Sequence, residues 1–123
     1  MILVVDDEPM VRELVSTVLQ KEGFSVSTAA SGAEAMSIAQ AHRGEIELVI
    51  TDVVMPGMDG RTLARELVAD NPKIPILFIS GQCDAAELGE YGQWQFLAKP
   101  FSLAILVLEV RKLMRRASLQ TVS

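Results

Sequence analysis

Five chemically capable groups follow or close apolar runs in this chain. Ile2–Val5 leads into Asp6 and Asp7, Leu48–Thr51 into Asp52, Ile76–Ile79 into Ser80, and Trp94–Ala98 into Lys99. Short apolar runs bounded by turn residues read as buried strands. If the strands are parallel, their C-terminal ends share one edge, where open α/β sheets bind ligands. Three carboxylates brought together there repel one another, and one takes up a proton unless a cation joins them. An all-oxygen donor set with room for water suits Mg²⁺, which is usually held by one or two carboxylates plus a substrate phosphate. Lys99 adds a point charge suited to a phosphoryl oxygen, and Ser80 adds a hydroxyl donor. One carboxylate can then act as a nucleophile toward phosphorus and form an acyl phosphate. The metal, Lys99 and Ser80 would stabilise the equatorial oxygens during transfer.

The elements that must position these groups are readable in order. After the first strand, Pro9 suits the first turn of a helix, and the acids before it suit the positive end of its dipole. Met10, Leu14, Val18 and Leu19 recur at helical spacing up to about Glu22, and Gly23 ends the helix. Phe24 to Ala29 alternates in polarity, as a strand near a sheet edge does. Ser31 and Glu34 have capping-box spacing and open a helix to about His42, with Ala35, Ile38 and Ala39 inward. The third strand, Leu48–Thr51, is followed by a turn over Pro56–Gly60 and a helix over Arg61–Asp70 with Leu63, Leu67 and Val68 inward. Asn71 and Pro72 stop it. The fourth strand is Ile76–Ile79. A short or irregular helix, fourth in order, is expected over 84–90, weakened by Gly89 and Gly92. The fifth strand, Trp94–Ala98, precedes a helix from Leu103 to Arg116, capped by Ser102 and burying Leu106, Val110, Leu113 and Met114. Leu119–Ser123 is expected to be a frayed tail. Strands alternating with helices argue for an α/β fold, a parallel sheet with helices on both faces.

Bulk properties narrow the function. With 123 residues, the chain makes one domain. The expected units are a domain over 1–117 and a tail over 118–123. The net charge of −5 argues against binding to nucleic acid or an anionic membrane. Cys83 is the single cysteine, so no internal disulfide can form, which fits a reducing cytoplasm. No apolar run approaches the ~20 residues of a membrane span. Met1 leads straight into a strand-like run with no signal-peptide pattern, a start that also fits a domain cut from a longer chain.

The motifs together resemble the receiver domain of two-component response regulators. The segments that carry the resemblance are VVDDEP at Val4–Pro9, TDVVMPGMDG at Thr51–Gly60, FIS at Phe78–Ser80 and KPF at Lys99–Phe101. They span essentially the whole chain, in the family's order. The resemblance implies a flavodoxin-like doubly wound sheet of order 2-1-3-4-5. It implies that Asp52 accepts phosphate from a phosphohistidine on a sensor histidine kinase or phosphotransfer domain. Asp7 and Asp52 would ligate Mg²⁺ directly with the backbone carbonyl of Val54, and Asp6 would hold it through water. Ser80 and Phe96 match the switch hydroxyl and switch aromatic. The function implied is a phosphorelay switch rather than a turnover enzyme, with self-phosphorylation and slow hydrolysis as its only chemistry.

Two departures stand out. The stretch from Ser80 to Lys99 is a few residues shorter than the family's usual one, which falls on the expected helix over 84–90. Ser80-Gly81 is similar to receivers attached to hybrid histidine kinases. Val54 also offers no polar side chain to an attacking water. Two rivals remain beside this reading: a metal-dependent aspartyl phosphatase and a phosphate-blind interaction domain. The first needs a second acid near the nucleophile, where Val53 and Val54 stand; the second is opposed by the intact acids and Lys99. Taken singly, Asp6 and Asp7 could be helix-terminal charges, Asp52 and Ser80 turn residues, and Phe96 a core aromatic. His42 and Cys83 read as surface or loop residues. Arg111, Lys112, Arg115 and Arg116 read as a solvated helix end favoured by the dipole.

Overall fold

Every strand of the sheet runs parallel to its neighbours, in the order β2-β1-β3-β4-β5. The computed structural model describes residues 1–81 and 94–122, with side chains through residue 116. Its strands are β1 (Ile2–Val5), β2 (Val26–Ala29), β3 (Leu48–Asp52), β4 (Ile76–Ser80) and β5 (Trp94–Ala98). The described helices are α1 (Pro9–Lys21), α2 (Gly32–Ala41), α3 (Gly60–Asp70) and α4 (Leu103–Val122). The helix expected over 84–90, Cys83 and Tyr91 lie outside the described residues.

The central strands are apolar up to their C-terminal ends and buried throughout, because both faces of the sheet are covered. Leu3 and Val5 of β1, Val49 of β3, and Ile76 and Phe78 of β4 pack in one core with Ala35 of α2 and Leu63, Ala64 and Leu67 of α3. The alternate residues Ile2, Val4, Leu48, Ile50, Leu77 and Ile79 pack in a second core with Val15 and Leu19 of α1 and Leu106, Val110 and Leu113 of α4. Trp94 meets Phe78 edge-on, with ring centroids 5.2 Å apart. β2 is an edge strand, as its alternation predicts. It starts at Val26 rather than Phe24, and Phe24 instead lies under the guanidinium of Arg111, 5.3 Å from the ring centroid.

Two expectations need correction. In α1 the residues against the sheet are Val11, Val15, Val18 and Leu19, spaced i, i+4, i+7 and i+8. Met10 and Leu14 lie one position off that stripe and are 84% and 53% exposed. The last helix does not end at Arg116 but runs to Val122. Nothing between Ala117 and Val122 breaks a helix: there is no Gly or Pro, and Ala, Leu and Gln are good formers. Residues 118–122 therefore continue α4 rather than forming a separate tail.

The expected capping residues are in place. Ser31 caps α2 by accepting from the Glu34 N–H at 3.1 Å, and Glu34 Oε2 accepts from the Ala30 N–H at 3.3 Å. Ser102 accepts from the Ile105 N–H at 3.0 Å. Ser31→Ala is expected to lower stability by about 1 kcal/mol, read as a shift in urea midpoint at unchanged slope. A midpoint equal to wild type would show that water replaces the cap without loss.

Candidate functional site

The C-terminal ends of β1, β3, β4 and β5 form one rim. There an open cleft of about 540 Å³ is lined by Asp7, Glu8, Asp52, Val54, Met55, Pro56, Ser80, Gly81 and Lys99. Asp6 lies beneath it, fully buried, just past the end of β1. Asp52 and Ser80 are the last residues of β3 and β4 and are also buried. Lys99 follows β5, with its N–H donating to the Ser80 carbonyl at 2.9 Å. This bond ties the ends of β4 and β5 together. The Lys99–Pro100 peptide bond is cis.

The Lys99 ammonium joins the acids. Its Nζ lies 3.2 Å from Asp52 Oδ2, 3.3 Å from Asp6 Oδ2 and 3.7 Å from Glu8 Oε1. Burial alone would pull the Lys99 amine down. The charges of Asp6 and Asp52, with their hydrogen bonds, outweigh burial and hold it above the usual lysine value. Burial pushes the Asp6 carboxyl above its ordinary value, and the charge of Asp52 adds to this. The Glu8 N–H, which donates to Asp6 Oδ1 at 2.9 Å, and Lys99 oppose the rise without cancelling it.

The folded value of Asp6 thus exceeds its unfolded value. The stability tied to this group is fully present below the ordinary 3.8 and is lost as pH rises through the folded value. Asp6→Asn removes that titration. In metal-free buffer the variant is expected to lose less stability than wild type between acid and neutral pH, read from urea midpoints. Equal slopes for the two proteins would contradict the assignment.

The connection from β3 to α3 shapes one side of the rim. After β3 the chain passes Val54, which is half exposed, and Pro56-Gly57, where Gly57 has φ +78. Asp59 caps α3 by accepting from the Thr62 N–H at 2.9 Å. Gly60 is buried against the backbone of Asp52, and its N–H donates to the Val53 carbonyl at 2.8 Å. The Thr51 hydroxyl donates to the Asp52 carbonyl at 2.9 Å. Asp52 is therefore held on a backbone fixed from both sides.

All five groups expected to converge reach this rim, but not equally. The carboxylates whose oxygens lie within 4.8 Å of one another are those of Asp6, Glu8 and Asp52. Asp7 lines the cleft but stands outside that group. The chain bends at Asp7, just past the end of β1, and the Glu8 N–H turns back to Asp6 Oδ1. Sequence reasoning treated Glu8 as a helix-end charge. It is the N-cap of α1, yet its side chain makes no cap bond and stays available to the cleft. Phe96 is half buried and pairs in register with Phe78, against the core on the α2–α3 side.

The donors fit a hard divalent cation. Among the described residues they are all oxygen, burial and then the charge of Asp52 raise Asp6, and Lys99 already bridges two of them as a monovalent counter-charge.

Comparison with known proteins agrees with this geometry. Residues 2–111 match the family model described as the response regulator receiver domain. The chain is 42% identical over 118 residues to the sensor kinase CckA of Brucella abortus, covering 94% of this chain and 12% of that protein. It is 39% identical over 126 residues to the probable transcriptional regulatory protein TcrX of Mycobacterium tuberculosis, covering 98% of this chain and 52% of that one. The chain thus spans about half of one relative and a small part of the other. Among solved structures, a response regulator receiver domain protein from Clostridium thermocellum superposes with TM-score 0.89 at 28% identity, covering 97% of both chains. The receiver domain of the hybrid histidine kinase CckA superposes with TM-score 0.80 at 36% identity, covering 92% of this chain and 97% of that one. With its parallel sheet of order 2-1-3-4-5 and its acids and lysine gathered on one rim, this chain belongs to the response regulator receiver domain family.

Proposed function

We propose that the chain accepts a phosphoryl group on Asp52 from a phosphohistidine of a sensor histidine kinase or phosphotransfer domain, in the cytoplasm. The observation that carries this reading is the Lys99 ammonium placed 3.2 Å from Asp52 and 3.3 Å from Asp6. An Asp52 carboxylate oxygen attacks phosphorus, the O–P bond forms as the P–N bond breaks, and the imidazole nitrogen leaves with that electron pair. When bound, Mg²⁺ would supply positive charge to the phosphoryl oxygens. Asp6, Asp7, Asp52 and the Val54 carbonyl would hold it, with Glu8 beside them as a further carboxylate. Lys99 moves from the carboxylates to a phosphoryl oxygen.

The switch follows from the same placements. The Ser80 hydroxyl, buried at the cleft, turns toward the bound phosphoryl group, and Phe96 repacks behind it. Phosphorylation thereby shifts a two-state equilibrium in the protein-binding surface. The receiver unit is placed at residues 1–117, with 118–122 a continuation of its last helix.

The docking surface for the donor lies beside the cleft. Val11, Leu14, Val15, Pro100, Phe101 and Leu103 line an apolar groove of about 430 Å³ that shares Lys99 with the site. Leu14, with Met10 near it on α1, leaves apolar surface open next to the acceptor, which suits a helical donor bringing its histidine to Asp52.

Intact mass after incubation with acetyl phosphate and Mg²⁺ tests the reading. One phosphoryl group is expected on wild type and none on Asp52→Ala. No gain on wild type would favour a phosphate-blind interaction domain. Multiple turnover of a generic phosphomonoester would favour an aspartyl phosphatase.

A further inference from the structure

We infer that Arg12 is a positioning residue for the acid pair at the end of β1, and that it sets the affinity of the cleft for a divalent cation. This inference rests on the proposed metal-assisted phosphoryl transfer. Strand pairing of β1 with β2 and β3 ends at Val5. One residue on, the Asp6 N–H still finds the Ala29 carbonyl at 3.1 Å. The Asp6 carbonyl receives Arg12 Nη1 at 2.7 Å, a charge-assisted bond.

Arg12 closes a circuit of three hydrogen bonds. Asp6 Oδ1 accepts from the Glu8 N–H, the Glu8 carbonyl accepts from the Arg12 N–H at 3.0 Å, and the Arg12 guanidinium returns to the Asp6 carbonyl. The side chain and carbonyl of Asp6 are thus both fixed to the first turn of α1. The plane of its carboxylate, and the direction in which the chain leaves toward Asp7 and Glu8, are set together. Arg12 does not line the cleft, and among the described residues no carboxylate is in ion-pair range of its guanidinium. Arg12 is half buried and committed to a main-chain oxygen at the site. Groups that orient metal ligands from behind change affinity by about 10- to 100-fold when removed.

The test uses the chain with Arg12→Gln, Arg12→Lys and, as a control for lost stability, Ile38→Ala on α2, which packs in the core and touches no part of the cleft. Mg²⁺ binding is measured by calorimetry well below each variant's unfolding temperature. Arg12→Gln is expected to weaken Mg²⁺ binding about tenfold or more. Arg12→Lys is expected to recover part of that loss, and Ile38→Ala to leave binding at the wild-type value. Phosphoryl uptake by Arg12→Gln is expected to be slow at low Mg²⁺ and to approach wild type at saturating Mg²⁺, because Asp52 and Lys99 are untouched. Wild-type Mg²⁺ affinity in Arg12→Gln, or equal weakening in Ile38→Ala, would overturn the inference. If Arg12→Gln does not fold, Arg12→Lys decides alone: unchanged affinity there overturns it. A wild type that binds Mg²⁺ but takes up no phosphoryl group would overturn the acceptor reading and leave the Arg12 effect on affinity to be read by itself. A wild type that binds no Mg²⁺ overturns both.

Discussion

Gly60→Ala is expected to destabilise the protein by about 3 kcal/mol or more, at the top of the range for forced overpacking. A Cβ built on Gly60 would overlap the carbonyl oxygen of Asp52 and stand 3.0 Å from both the Asp52 carbonyl carbon and the Val53 Cα. All three atoms belong to the backbone, so no flexible side chain can move aside. Alanine would gain about 1 kcal/mol from helix propensity and reduced freedom of the unfolded chain, too little to offset that overlap. The strain also falls on the backbone of Asp52, the proposed acceptor, so the folded fraction should lose phosphoryl uptake as well. Gly57→Ala is the useful contrast. Gly57 has φ +78 but no atom within 4 Å of a new Cβ, so the cost is conformational only, about 1–2 kcal/mol. Urea unfolding of both variants checks the difference, and a Gly60→Ala midpoint at or above that of Gly57→Ala would contradict the packing described.

Lys99→Ala is expected to slow phosphoryl uptake by about 10²–10³-fold, the usual effect of removing one preorganised donor from a developing charge. The metal-free protein should change as well. Lys99 has its folded value raised, so its contribution to stability is fully present below the ordinary 10.5 and is lost only as pH rises through the folded value. At neutral pH the substitution therefore removes the whole contribution. Asp6 and Asp52 are then left buried side by side without the ammonium between them, and Asp6 is pushed further up. Stability should fall more steeply than wild type as pH rises from acid to neutral, and Mg²⁺ should restore more of it in the variant. The rate of mass gain and the urea midpoints with and without Mg²⁺ measure both effects. A variant that is phosphorylated at the wild-type rate would remove Lys99 from the chemistry.

Much of this architecture was legible because the strands are buried on both faces. Ile2–Val5 and Ile76–Ile79 are unbroken apolar runs for that reason, and the parallel reading that follows puts Asp6, Asp52, Ser80 and Lys99 at one rim. Caps at Ser31 and Ser102 were legible because capping is local in sequence. What was not legible depends on direction rather than spacing. The apolar side of α1 holds two helical series, and only the sheet decides that Val11 and Val15 turn inward while Met10 and Leu14 remain outside. Glu8 reads as a helix-end acid, and only the folded chain brings its carboxylate to 3.7 Å from the Lys99 ammonium. The need for glycine at position 60 arises from an approach to the Asp52 backbone that no spacing rule reveals. The continuation of α4 past Arg116 was hidden because a terminal position suggested fraying while the composition allowed a helix.

Asp52 lies at the bottom of a polar cleft, while the apolar groove on α1 begins at Lys99. The Lys99 amine therefore borders both the cleft and the apolar groove.

Trapping the acyl phosphate is the most direct measurement. After phosphorylation with Mg²⁺ present, borohydride reduces an aspartyl phosphate to homoserine, and peptide mass spectrometry locates the converted residue. Homoserine at position 52 alone is the expected result. Conversion at Asp6 or Asp7 instead, or a phosphoryl group that resists reduction, would contradict the account.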